Sequence, residues 1–330
     1  MPVHAPVGFA DVLAAEPPVY TAGVWDGLSA TLAATAGFRC LFVSGFAVSA
    51  SLGLPDADLY TRADMTRAVA VAARASGLPV IADLDTGWGN AVNAYHAARD
   101  FEQAGAAALM LEDQISPKPG PLSEQAGVSL VPRDEAAAKV RACVDARTRA
   151  AVVARTNADT VDEVLRRAEA YAAAGADVVF PMRHDETFPF EAWAATRDAC
   201  GRPLAAAVAP GSWLERELTP AIARELGIAV VIYGLQGVLA TARALTDAYT
   251  DLLGPEPGVV AARGVPLRAF TQLIGYDEVT RLRHRYLGTP AVPSAPAEPT
   301  GPDGTTALNG READPTTGQA TDPTTGRGDT

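Results

Sequence analysis

The chain has 330 residues, 48% hydrophobic and 20% charged, enough for one large α/β domain or two smaller ones. A formal net charge of −12 argues against nucleic acid or an anionic membrane as partner, and no apolar run reaches membrane-spanning length. Cys40, Cys143 and Cys200 lie far apart and form no CxxC pair, so neither a disulfide framework nor a cysteine zinc site is expected. With no basic-then-apolar leader at the start, this cysteine usage fits a reduced, cytoplasmic protein.

The chain reads as strand, turn and helix in repetition. Candidate strands fall at residues 18–24, 40–44, 80–85, 107–112, 151–156, 177–181, 204–208 and 229–233. Alanine-rich helical stretches lie between them, at 91–104, 133–146 and 161–174 among others. Several end near a glycine, as helix C-termini commonly do. Eight such units fit an α/β fold, a (β/α)₈ TIM barrel, with a doubly wound open sheet as the other arrangement. No GxGxxG follows the first strand and no GxxxxGK[ST] occurs, which disfavours dinucleotide and P-loop sites. Residues 266–287 read as one or two additional C-terminal helices, giving a barrel region of 1–287. From 288 to 330 the composition turns to proline, threonine, glycine and aspartate, and Asp314-Pro-Thr-Thr-Gly318 returns as Asp322-Pro-Thr-Thr-Gly326. So few apolar residues predict a disordered C-terminal tail.

In a barrel the active site lies at the C-terminal strand ends. The third strand ends in Asp83-Leu-Asp85, and residues i and i+2 of a strand share a face. The fourth ends in Glu112-Asp113. Three or four converging carboxylates repel unless a cation sits among them, which points to Mg²⁺, with Mn²⁺ as the alternative ion. The bland alternative is that such acids cap helices or pair with arginines. The second strand runs into Ser44-Gly45-Phe46, whose backbone N–H groups can approach a ligand. The fifth ends in Arg155-Thr-Asn157, and Arg155 suits a bidentate grip on an anion, or else a salt bridge to Glu112. Lys118 lies in the long interior loop 114–132, where it either neutralises an anionic substrate or sits solvated on the surface. His184, beyond strand six, is the one imidazole near a strand end, and Tyr233 ends strand eight; both are candidate proton donors beside water.

Ser44-Gly45, Gly53-Leu-Pro-Asp56, Asp83-Leu-Asp85-Thr-Gly-Trp-Gly-Asn90, Leu111-Glu-Asp-Gln114 with Pro117-Lys118, and Ala154-Arg-Thr-Asn157 occur in that order. Together they resemble the isocitrate lyase and phosphoenolpyruvate mutase superfamily over residues 9–287. The resemblance implies a (β/α)₈ barrel, with Mg²⁺ held by Asp83, Asp85 and Glu112. It gives Ser44, Gly45, Phe46, Asp83 and Arg155 to substrate binding, and places Asp56 and Lys118 on segments around the mouth. It also implies a homodimer or homotetramer exchanging C-terminal helices, and a small anionic carboxylate or phosphonate as substrate. The lid reads Lys118-Pro-Gly120-Pro, without the cysteine and histidine of isocitrate lyases or the asparagine of phosphoenolpyruvate mutases. Met182 stands where the lyases carry glutamate, which brings the chain nearer the oxaloacetate decarboxylase branch, although Leu235 replaces that branch's histidine. The implied activity is C–C cleavage, by decarboxylation or retro-aldol reaction, next to a 2-oxo or 2-hydroxy carboxylate through a pyruvate-type enolate. P–C chemistry on phosphoenolpyruvate or phosphonopyruvate is the first alternative. A catalytically impaired oxo-acid-binding member is the second.

Overall fold

The computed structural model describes residues 8–15, 17–118, 129–254 and 264–288. Residues 119–128 of the long loop, with Gly120, and the tail from 289 onward lie outside the described residues. The chain divides into two compact units, 1–274 and 275–330.

Eight parallel strands close into a barrel in chain order. They are β1 (Val19–Val24), β2 (Cys40–Val43), β3 (Val80–Asp83), β4 (Ala108–Glu112), β5 (Ala151–Thr156), β6 (Val178–Pro181), β7 (Leu204–Ala207) and β8 (Ile228–Tyr233). β8 pairs back onto β1, with Val19 opposite Val230. Closure excludes the doubly wound sheet. Between strands run α2 (Gly27–Thr35), α3 (Gly45–Ser51), α4 (Arg62–Ser76), α5 (Ala91–Gln103), α6 (Arg133–Ala146), α7 (Val161–Ala173) and α8 (Phe190–Cys200). After β7 come α9 (Trp213–Glu217) and α10 (Pro220–Glu225); after β8 come α11 (Gln236–Leu252) and α12 (Leu267–Leu273). An N-terminal helix, α1 (Phe9–Ala15), precedes the barrel. In the second unit α13 (Tyr276–Leu287) follows Gly275, whose φ of +89° interrupts the helical stretch.

Side chains alternate across each strand and sort into two cores. Phe42, Ile81, Met110, Val153, Phe180 and Ile232 fill the barrel interior, together with Phe9 and Val12 of α1. Leu41, Val80, Leu109, Val152 and Ala154 face outward and pack under the helices. This alternation decides which strand-end residues reach the mouth. Small alanines let the helices lie close: Ala94, Ala97 and Ala98 of α5 are fully buried. The three cysteines are buried and unpaired. Among the described residues no helix is long and apolar enough to cross a membrane.

Candidate active site

β2 ends one residue earlier than the pattern predicts. Ser44 caps α3, its hydroxyl accepting from the Ala47 N–H at 3.4 Å. Gly45 lies against Asp83: its N–H donates to Asp83 Oδ2 at 3.1 Å. A Cβ at Gly45 would sit 2.6 Å from the Tyr60 hydroxyl and 3.1 Å from both Asp83 and Asp85 oxygens, so any larger residue would displace these side chains. This N–H, expected to be offered to a ligand, is spent on the acid cluster.

The acid pair converges for a different reason than strand alternation. β3 stops at Asp83, and Asp85 has a positive φ of 44°. A turn, not a shared strand face, folds Asp85 back so that its N–H donates to Asp83 Oδ1 at 3.1 Å. The left-handed conformation is one that aspartate tolerates better than most side chains. Tyr60, which the sequence pattern does not single out, donates its hydroxyl to Asp85 Oδ2.

Asp56, Asp83, Asp85 and Glu112 share two cations, Lys118 and Arg155. The Lys118 ammonium is 3.0 Å from Asp56 Oδ1, hydrogen bonds Asp85 Oδ1 and lies 3.6 Å from Glu112 Oε1. At 6% exposure it is not the solvated surface lysine of the alternative reading. Arg155 pairs with Glu112 Oε2 at 3.0 Å and lies over the Phe180 ring at 5.8 Å. It therefore makes the salt bridge of the alternative reading, and it also lines the mouth cavity. Burial pushes the Asp83 pKa up, and pushes Asp85 up to about 7 against the pull of Lys118. For Glu112 the same desolvation is outweighed by Arg155 and Lys118, which hold it below the usual carboxylate range. Burial opposes the charge on Lys118, but Glu112 and the three aspartates outweigh it and keep the ammonium charged.

Among the described residues no group of three or more His, Cys, Asp or Glu side chains is already arranged around a metal position; the Lys118 ammonium lies among the acids instead. The donors nonetheless fit a hard divalent cation. They are all carboxylate oxygens, they outnumber their cationic partners, and Glu112 Oε1 is buried without a hydrogen bond.

The cavity at this mouth has a volume of about 120 Å³. Ser44, Phe46, Asp56, Asp83, Lys118 and Arg155 are among the residues that line it. The apolar side chains of Phe42, Phe180, Met182, Val208, Ile232 and Leu235 line it as well. Two proposed proton donors are not in its lining. Tyr233 follows Ile232 on β8, so alternation turns it outward, where it stacks on Tyr20 at 6.1 Å. His184 is half-buried past the end of β6, its carbonyl accepting from Leu214 N at 3.3 Å. Burial lowers its pKa, and its buried Nδ1 has no hydrogen-bond partner. Asp113 also leaves the acid cluster. Glu112 points inward, so the next residue points outward, where Arg167 and Tyr171 of α7 receive it.

A family model described as phosphoenolpyruvate phosphomutase matches residues 9–253. The chain belongs to the isocitrate lyase and phosphoenolpyruvate mutase superfamily. It is 32% identical over 293 residues to 2,3-dimethylmalate lyase of Eubacterium barkeri, covering 84% of this chain and 96% of that enzyme. It superposes on the phosphoenolpyruvate phosphomutase of Streptomyces platensis subsp. rosaceus with a TM-score of 0.77 at 31% identity, over 86% of this chain and 100% of that one. A phosphonopyruvate hydrolase solved with oxalate and Mg²⁺ superposes with a TM-score of 0.72 at 28% identity, over 84% and 96% of the two chains. The superfamily comprises lyases, mutases and hydrolases of small oxo-acid substrates.

Proposed function

We propose that this protein is a Mg²⁺-dependent lyase that cleaves a C–C bond beside a small 2-oxo or 2-hydroxy carboxylate. Mn²⁺ is the alternative ion. The observation that carries this reading is the mixed charged and apolar lining of the mouth cavity. Asp56, Asp83, Lys118 and Arg155 share its lining with Phe42, Phe180, Met182, Ile232 and Leu235. Such a cavity suits a substrate with a carboxylate and oxygen at one end and an alkyl-substituted carbon at the other. The likeness to 2,3-dimethylmalate lyase over nearly all of that enzyme's length supports the same choice.

Held by Asp83, Asp85 and Glu112, the divalent ion would supply positive charge beside the substrate carboxylate and its neighbouring oxygen as negative charge develops there. Arg155, already oriented by Glu112 and Asn157, binds the anionic end. Ser44 and Phe46 line the cavity beside it, and the Gly45 N–H steadies Asp83. Decarboxylation leaves the bonding electrons on the oxo-acid as a pyruvate-type enolate, which a proton then quenches. In retro-aldol cleavage the 2-hydroxyl loses its proton, the oxo-acid forms, and the departing carbon keeps the electrons until protonated. The Asp56 carboxylate is placed to accept the hydroxyl proton, and the Lys118 ammonium, 3.0 Å away, to donate one to the departing carbon. Water is the other proton source, since neither Tyr233 nor His184 lines the cavity.

P–C bond chemistry is the second reading, favoured by the superposition on phosphoenolpyruvate phosphomutase and by the two cations lining the cavity, which could hold a phosphonate. A Mg²⁺-supplemented ¹H and ³¹P NMR screen separates the two. The panel is oxaloacetate, substituted malates, phosphoenolpyruvate and phosphonopyruvate. Pyruvate released from a carbon-only acid supports the lyase. A new phosphonate signal, or phosphate freed from phosphonopyruvate, replaces it with the second reading.

The assembly belongs to the same proposal. No residue of α11 is buried, and Leu239, Leu245 and Tyr249 of that helix are exposed. A groove of about 700 Å³ runs between α11 and α2, lined by Trp25, Leu28, Leu32, Phe38 and Leu245. We read this face as covered in a homodimer or homotetramer that exchanges C-terminal helices. A monomer by sedimentation equilibrium would refute it.

A further inference from the structure

Asp113 and Asn157 are buried, at 1% and 9% exposure, and do not line the cavity, yet they connect α7 to Glu112 and Arg155. Asp113 Oδ2 accepts from the Tyr171 hydroxyl at 2.7 Å and from Arg167 Nη1 at 3.1 Å, both on α7. Its Oδ1 accepts from the Asn157 backbone N–H at 2.9 Å. The Asn157 amide then splits its two ends between the two functional side chains. Nδ2 donates to Glu112 Oε2 at 3.0 Å. Oδ1 accepts from Arg155 Nη2 at 2.9 Å and Nε at 3.3 Å. The amide can satisfy both neighbours in only one orientation, because its donor end must face the carboxylate and its acceptor end the guanidinium. Asp113 also holds one side of the long loop: its carbonyl accepts from Val131 N at 3.0 Å, and Arg167 Nη2 donates to the Val131 carbonyl at 3.0 Å.

We propose that Asp113 and Asn157 are positioning residues: α7, through Arg167 and Tyr171, sets Asp113, Asp113 sets Asn157, and Asn157 sets the separation and orientation of Glu112 and Arg155. The proposal rests on the reading of Glu112 and Arg155 as metal- and substrate-binding groups. The relay makes a helix outside the barrel part of the specificity of a site inside it. Without Asn157, Arg155 keeps its ion pair with Glu112 but loses the acceptor that holds its other N–H groups in the plane suited to an incoming carboxylate.

The test is a double-mutant cycle read by calorimetric titration with oxalate in excess Mg²⁺, alongside thermal unfolding. Asn157→Ala is expected to weaken oxalate binding about thirtyfold, Asp113→Asn about tenfold and Tyr171→Phe about threefold. Because all three act through Asn157, the Asp113→Asn/Asn157→Ala double variant should bind no more weakly than Asn157→Ala alone. A merely structural aspartate would lower the unfolding temperature while leaving oxalate affinity unchanged, or would weaken it by a factor that multiplies with that of Asn157→Ala; either result overturns the proposal. Should Asp113→Asn not fold, the Tyr171→Phe/Asn157→Ala cycle decides by the same criterion, since it keeps the buried ring. Arg155→Ala is the control. If it binds oxalate as the wild type does, or if the wild type binds none, the reading of the site fails and the relay falls with it.

Discussion

Glu112 and Asp113 are adjacent, both acidic and both buried, yet they serve opposite ends. Glu112 faces a mouth where four carboxylates share Lys118 and Arg155, and one of its own oxygens has no hydrogen bond. Asp113 faces the helix layer, where Arg167, Tyr171 and Asn157 satisfy it. Strand alternation alone separates them. A structural acid is balanced by its neighbours, and a working acid is left short of partners. Burying charge without balance costs stability, so such an arrangement persists where something else is gained.

Substitutions on the two sides should therefore fail differently. The largest effect is expected from Asp85→Asn, which keeps the shape and removes one charge from the crowded side. Turnover should fall about a thousandfold, in the range found when a charge-stabilising group is lost. The unfolding temperature of the metal-free protein should stay level or rise, because burial already opposes the Asp85 charge. Steady-state kinetics and calorimetric melting check both halves. A large fall in stability would show that Asp85 is a structural acid and would erase the contrast.

On the balanced side the expectation inverts. Arg167→Met keeps the buried stem but leaves Asp113 without its cation. Breaking a buried pair by removing one partner costs about 3–5 kcal/mol, since the remaining charge is left uncompensated. Denaturant unfolding should show a loss of that size. A loss near zero would mean that Tyr171 and Asn157 satisfy Asp113 by themselves.

The same contrast explains what could be read from the chain beforehand. The barrel was legible because βα units repeat and their strands end in recognisable motifs. Asp56, Asp83, Asp85, Glu112, Lys118 and Arg155 were legible as residue types at strand ends and mouth loops, and the fold does bring them together. The inward or outward sense of a residue was harder, because period-two alternation fixes only relative faces. Periodicity alone therefore does not tell that Tyr233 and Asp113 turn away from the cavity while Ile232 and Glu112 face the interior. Asp85 reached the site by a turn with positive φ, which apolar periodicity does not encode. Tyr60 and Arg167 come from loop and helix positions whose relevance is purely tertiary.

The smallest effect tests the turn that carries Asp85. That turn ends at Asn90, which caps α5: its Oδ1 accepts from Val92 N at 2.9 Å and Asn93 N at 3.4 Å, and its N–H donates to Asn93 Oδ1 at 3.1 Å. Asn90→Ala deletes the cap and should cost about 1 kcal/mol. Its effect on turnover separates two ways of holding Asp85. If the cap fixes the turn, frayed residues at the start of α5 will loosen Asp85 and turnover will drop along with stability. The geometry favours the other case. The Lys139 ammonium, buried beneath the turn, donates to the Thr86 carbonyl at 3.1 Å, and Glu112 N donates to the Asp85 carbonyl at 2.8 Å. These two bonds pin the turn on the Asp85 side of its glycines, ahead of the cap. Stability should therefore fall by the cap's worth while turnover at saturating substrate changes less than about twofold, a shift of about 0.4 kcal/mol in the barrier.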